Sequence, residues 1–234
     1  MKDIAYFLNR EIENDAKKEE SESQLKGLAV INTSIEESTL GVRQHNVLLE
    51  QDVFLRDHLG PQDVIVCSVG GNDIAFRPSY KTVFNILIAL STASLFGTTS
   101  SGWVPGLGHF VNLFGDKTKQ YLECLIEKYK PKVIVVCMIY FLDENPEVDS
   151  WANFTLEKLR YNSKPSILQG FITYVFQKGT SKIEINGVKI VPIPLFQFLD
   201  GSCSADYVDR VEPSVQGGEK MASGIWSRIK NEFI

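Results

Sequence analysis

A carboxamide, two glycines and a few carboxylates carry the chemistry open to this chain. The stretch Asp63-Val64-Ile65-Val66-Cys67-Ser68-Val69 is a continuous apolar, β-branched run that stops at Gly70 and Gly71, followed by Asn72 and Asp73. Such a run reads as a strand buried on both faces. In open α/β sheets, ligands bind in the crevice beyond the carboxyl ends of the strands. Glycines let backbone amides approach a substrate oxygen, which makes Gly71 a candidate substrate-binding residue. Asn72 then places a side-chain amide where a developing oxyanion is held. The carboxylates Glu37, Asp73, Asp209 and Glu212 offer a different chemistry, as hard oxygen ligands for Mg²⁺ or Ca²⁺ or as an acid/base pair. Gly-Gly-Asn-Asp is also a common turn composition, because Gly and Asn tolerate positive φ and Asp bonds its own backbone.

The elements that must position these groups follow from apolar periodicity. From Asp3 to about Lys26 the pattern is helical, with Ile4, Phe7, Leu8 and Ile12 on one stripe. Leu28 to Ile31 reads as a short strand, and Ser38 to Gly60 carries another helix with apolar Val47, Leu48, Val53, Phe54 and Leu55. A mostly buried helix is expected over Ser79 to Leu95, then a small-residue loop, Gly97 to Gly108. This loop reads as a surface excursion, with a lid or substrate wall as the functional alternative. Phe110 to Tyr129 reads as an amphipathic helix, Lys132 to Tyr140 as a buried strand, and Pro146 to Gly179 as one or two helices. Lys182 to Val191 reads as a hairpin with an Asn186-Gly187 turn leading into the last strand, and Ser214 to Phe233 as the closing helix. Alternating strands and helices of this kind give a doubly wound parallel α/β sheet.

Composition bounds the function from the other side. At 234 residues, without a low-complexity linker, the chain is expected to form one domain over residues 1–234. A net charge of -5 and the lack of a basic cluster argue against nucleic acid or an anionic membrane as the main partner. The longest apolar stretch, Val83 to Phe96, is broken by Asn85, Ser91, Thr92 and Ser94, so no transmembrane segment is expected. Met1 to Ile4 shows no apolar signal core, which points to the cytoplasm. Cys67, Cys124, Cys137 and Cys203 have no C-x-x-C spacing and read as reduced thiols, neither a disulfide framework nor a zinc site. No cofactor is expected.

Gly70-Gly71-Asn72-Asp73 resembles the third block, Gly-x-Asn-Asp, of the SGNH or GDSL-type hydrolases, which are serine esterases and lipases. Asn32-Thr33-Ser34-Ile35-Glu36-Glu37-Ser38-Thr39 stands where that family has its second block. Asp209-Arg210-Val211-Glu212-Pro213-Ser214 is similar to its fifth, Asp-x-x-His-Pro. The three matches lie in family order and span most of the chain. The resemblance implies a three-layer αβα flavodoxin-like sheet and acyl transfer on a small ester or acyl substrate. It makes Asn72 an oxyanion donor. It also implies that Glu37 replaces the glycine whose amide shares that role, that Asp209 is the orienting acid, and that Glu212 stands in the histidine position.

The family's first strand, with its Gly-Asp-Ser nucleophile, has no counterpart here. The single Gly-Asp, Gly115-Asp116, precedes Lys117 in a helical context. In the family topology the missing strand is central, so its loss opens a gap of about 10 Å in the sheet. The chain is therefore expected to be N-terminally shortened and to turn over esters negligibly. A carboxylate at 212, with an ordinary pKa of about 4.3, activates a serine poorly. Asp206 and Asp209 are also readable as loop-capping residues ahead of the last helix, with Glu212 as a first-turn acid. His45 and His58 read as solvated; His109, after the small-residue loop, is a candidate displaced base, against which the family chemistry asks for the block-five position. Two alternatives stay open: a non-catalytic binding or scaffold protein on the same fold, and a metal-dependent enzyme using Glu37, Asp73, Asp209 and Glu212.

Overall fold

The structure is a computed structural model that describes residues 3–18, 25–75 and 104–233. The helix expected over Ser79 to Leu95, and the small-residue loop as far as Trp103, lie outside the described residues. The chain groups into two compact units. One is Thr33–Ile139 with Ser163–Pro194, and the other is Met1–Asn32 with Tyr140–Asn162 and Leu195–Ile234.

The first unit is built on the β-branched runs. Strands β1 (Val64–Cys67), β2 (Val133–Met138) and β3 (Lys189–Pro194) form a parallel sheet in the order β1-β2-β3, with Val64 opposite Val133 and Val133 opposite Lys189. All six residues of β2 are buried, as a central parallel strand requires. Among the described residues no strand pairs with the other side of β1. The Asn-Gly turn before β3 forms, with Gly187 at φ +76°, but its hairpin is reduced to a single Ile185–Val188 bridge.

Helices of this unit are α2 (Glu50–His58), α3 (Gly71–Ala75), α4 (Leu107–Asn112), α5 (Thr118–Leu125) and, between β2 and β3, α7 (Pro165–Lys178). The helix expected within Ser38 to Gly60 forms as α2, over Glu50–His58. A 3₁₀ segment, Gly41–Asn46, precedes α2, and His45 and Asn46 break it by taking positive φ, +59° and +62°. A π turn, Leu113–Lys117, joins α4 to α5. Its displaced carbonyls find side-chain donors: Thr118 Oγ1 donates to Leu113 O at 3.0 Å, and Thr180 Oγ1 to Phe114 O at 3.2 Å.

Phe114, carried on that turn, lies against Gly70. Gly70 has φ +96°, and a Cβ there would stand 2.8 Å from Phe114 Cε1. Gly70→Ala is therefore expected to cost about 2–4 kcal/mol, from a strained φ plus a core clash. Gly71→Ala meets only Ile139 Cγ2 at 3.6 Å, an ordinary contact, and is expected to change little. Chemical denaturation midpoints check the pair; equal midpoints for the two variants would contradict the packing described.

In the second unit, α1 (Ile4–Lys18) packs along α8 (Val215–Ile229). The stripe read from the sequence does this: Phe7, Leu8 and Ile12 are buried, and Phe7 closes on Gly218. Arg10 pairs with Glu219 at 2.7 Å, and Trp226 Nε1 donates to Asp15 Oδ2 at 2.9 Å. Leu28 to Ile31 is not a strand. Val30 gives its backbone to one side chain instead: its N–H donates to Asn9 Oδ1 at 2.8 Å, and its carbonyl accepts from Asn9 Nδ2 at 3.0 Å. The short helix α6 (Asn153–Lys158) and an antiparallel hairpin, β4 (Tyr207–Asp209) with β5 (Glu212–Pro213), complete the unit. Among the described residues no helix is long and apolar enough to cross a membrane.

Candidate functional site

The Gly-Gly-Asn-Asp turn leaves the carboxyl end of β1 and clamps the loop between Glu37 and Gly41. Asn72 Nδ2 donates to Ser38 O at 3.0 Å. Asp73 accepts two successive backbone amides, Leu40 N–H on Oδ2 at 2.8 Å and Gly41 N–H on Oδ1 at 2.9 Å. Thr39 O, between them, accepts from Arg43 Nη1 at 3.0 Å. Four consecutive residues of the loop are thus fixed by side chains from outside it. Gly71, half-buried, opens α3 beside them.

Arg43 is itself held by a buried network that the sequence did not announce. Its Nε and Nη2 donate to Asp52 Oδ2 and Oδ1 at 2.7 and 3.2 Å, a bidentate pair with both side chains about 5% exposed. Asp52 also accepts from Tyr121 OH at 2.8 Å and Leu49 N–H at 2.9 Å. The Arg43 guanidinium lies over the Tyr121 ring, 5.2 Å from its centre. Burial pushes the Tyr121 hydroxyl upward, and it pushes the neighbouring Cys67 thiol up to about 12. Burial works against the charge on Arg43, yet its bond to Asp52 leaves its pKa raised.

Glu37 is exposed and sits at φ +56°, in the left-handed region that favours glycine. Ser38 N–H closes the turn on Ile35 O at 3.2 Å. Among the described residues the Glu37 N–H has no hydrogen-bond partner, and only one of the two Asn72 amide hydrogens is engaged. A backbone donor and a side-chain donor therefore remain on one clamped loop and turn, the equipment for holding a carbonyl oxygen or a carboxylate. Asp73, with both oxygens already bound to amides, is not the free ligand that the metal reading requires. Among the described residues no three His, Cys, Asp or Glu side chains gather as a metal site would need.

Asp209 and Glu212 lie in the other unit. They are partners across the β4–β5 hairpin, and directly opposite residues share a face of the ribbon. Asp209 Oδ1 accepts from Val211 N–H at 3.1 Å, closing the turn, and Glu212 is exposed. Tyr140 OH donates to Val211 O at 2.7 Å; burial pushes this hydroxyl upward, and the charges of Glu212 and Asp209 add to the effect. Glu212 is not a first-turn acid, because Ser214 caps α8 by accepting from Gly217 N–H at 3.2 Å. Asp206 does brace that helix: it accepts from Gln216 Nε2 and Lys220 Nζ, each at 2.7 Å.

Arg210, between the two acids, is fully buried and was not legible as such. Nε and Nη2 donate to Asp143 O at 3.2 and 3.1 Å, and Nη1 donates to Asn153 Oδ1 and Asn162 Oδ1 at 3.0 and 2.8 Å. Its own carbonyl accepts from Asp143 N–H at 2.9 Å. Nothing in the spacing of Asp-Arg-Val-Glu distinguishes such an arginine from a solvated one.

His45 and His58 are exposed, as read from the sequence; the His58 ring stacks on Phe54 at 4.3 Å, with its Nδ1 2.8 Å from Phe54 O. His109 lies in α4, edge-on to Phe110 at 5.2 Å. All four cysteines are free, with Cys67 and Cys137 buried in β1 and β2. No family model matches this chain, and neither a curated protein nor a solved structure is similar to it.

Proposed function

We propose that the turn at the end of β1 is the acyl-oxygen site of an SGNH-type ester hydrolase, and that this chain binds there without cleaving. The observation that carries the reading is the clamp. Asn72 and Asp73, the last two residues of the third-block match, hold the very loop that carries the second-block match, and Glu37 has a glycine-type backbone where the resemblance places a glycine. The parallel β1-β2-β3 order supports a flavodoxin-like αβα sheet.

In a complete site of this kind a serine attacks an ester carbonyl, and the oxygen that gains the electron pair is held by Asn72 Nδ2 and the Glu37 amide. The Gly-Asp-Ser nucleophile has no counterpart in this sequence, and the Glu37 carboxylate on the same residue opposes an oxyanion. The resemblance gives the acid and histidine roles to Asp209 and Glu212, and a carboxylate in the histidine role activates a serine poorly. Binding without turnover follows.

The test is p-nitrophenyl acetate hydrolysis by the purified, folded chain and by Asn72→Ala, each with a serine-reactive phosphonate. No turnover above the Asn72→Ala background and no labelling are expected. Turnover that falls with Asn72→Ala and is blocked by the phosphonate would mean that a substitute serine nucleophile exists.

A further inference from the structure

The segment from Asp143 to Tyr161 mounts two large aromatic side chains outward on a rigid base. Trp151 and Phe154 are 53% and 70% exposed, Trp151 in the turn ahead of α6 and Phe154 in the first turn of that helix. Their support is not mobile coil. Asn145 N–H donates to Asp143 Oδ1 and Glu147 N–H to Asn145 Oδ1, each at 3.0 Å; Ala152 N–H donates to Ser150 Oγ at 3.1 Å. Asn153 Nδ2 donates to Val148 O at 3.0 Å, while its Oδ1 takes the Arg210 guanidinium. On the inner side Ala152, Leu156 and Tyr161 are buried, and Tyr161 OH donates to Leu142 O at 2.6 Å. Exposed tryptophan and phenylalanine already fixed by their backbone lose little entropy on binding, which is the character of an interface anchor.

Charge says what they anchor. Glu147, Asp149 and Glu157 flank the aromatic pair, all exposed and without an ion-pair partner among the described residues. Two cations lie in this segment, Lys158 and Arg160; Lys158 places its ammonium 5.3 Å from the centre of the Phe154 ring, so that ring face already accepts a cation. Exposed carboxylates in the same short segment as exposed aromatic rings complement a guanidinium, which stacks and pairs at once. We propose that the Trp151–Phe154 surface docks an arginine-containing basic peptide segment of a partner protein.

The test is calorimetric titration of the full chain with a blocked octa-arginine peptide, compared with octa-lysine. Octa-arginine is expected to bind more tightly than octa-lysine. The Trp151→Ala/Phe154→Ala variant is expected to lose about tenfold or more in affinity, and so is Glu147→Gln/Asp149→Asn/Glu157→Gln. All five side chains are exposed, so denaturation midpoints should stay at the parent value and separate lost binding from lost folding. Absence of binding, or binding that the aromatic variant leaves unchanged, would overturn the proposal. So would a parent dimer that the aromatic variant dissociates, which makes a second copy the occupant, or aromatic-dependent binding to phosphatidylcholine vesicles, which makes it a lipid surface.

Discussion

Arg210→Met is expected to lower unfolding stability by about 3–5 kcal/mol, among the largest effects of any single substitution in this chain. Methionine fills the space and removes the charge, so burial itself is not the loss. The loss is what remains: the Asp143 carbonyl at the buried Asp143 and the Oδ1 atoms of half-buried Asn153 and exposed Asn162 lose the guanidinium that bridged them. Asp143 is itself buried, and its Oδ2 has no hydrogen-bond partner among the described residues, so the cluster has no spare donor to offer. Burial already presses the Arg210 pKa downward, yet a guanidinium stays charged in proteins and remains a donor. Arg210→Lys keeps the charge but cannot fork to three acceptors, and is expected to recover less than half of the loss. Urea denaturation at constant m-value measures both; a change below about 1 kcal/mol for Arg210→Met would mean that the guanidinium bonds give no net stabilisation.

Asp52→Ala is expected to cost a similar amount, about 3–5 kcal/mol, and to loosen the loop clamped at the end of β1. The substitution strands Arg43, 8% exposed, without its counter-ion, and deprives Tyr121 OH and Leu49 N–H of their acceptor. Arg43 holds Thr39 O, so the damage reaches the loop between Ser38 and Gly41. Amide exchange at Leu40 and Gly41 should speed up, although their direct partner Asp73 is untouched. The double variant Arg43→Met/Asp52→Leu should be less destabilised than either single variant, because it removes both buried charges together. Strict additivity, or unchanged exchange at Leu40 and Gly41, would contradict the coupling between network and loop.

What could be read from the sequence was what periodicity encodes. The β-branched runs became β1 and β2, the Ile4–Ile12 stripe became the packed face of α1, and the closing helix became α8, capped by Ser214 and not by Asp206 or Asp209. Where a side chain competes with the backbone ladder, periodicity misleads: Leu28 to Ile31 looks like a strand, but Asn9 takes both bonds of Val30. His45 and Asn46, in left-handed conformations, keep the helix carried by Ser38 to Gly60 from starting before Glu50. The catalytic-looking residues were visible because their types are unusual after a buried strand. Their supports were not, since Arg43, Asp52 and Arg210 are charged residues that composition assigns to solvent and only their partners bury. The π turn has no sequence signature either; it became visible through the contacts of Thr180 and Gly70.

The most direct measurement of the acyl-oxygen site is a ¹H–¹⁵N NMR titration of the chain with ethyl butyrate, a short, neutral acyl ester. Saturable shifts are expected at the Glu37 backbone amide and the Asn72 side-chain amide, lost in Asn72→Ala while the rest of the spectrum is retained. Shifts confined to other parts of the chain, or shifts at Glu37 that Asn72→Ala leaves unchanged, would show that the loop and turn do not hold an acyl oxygen.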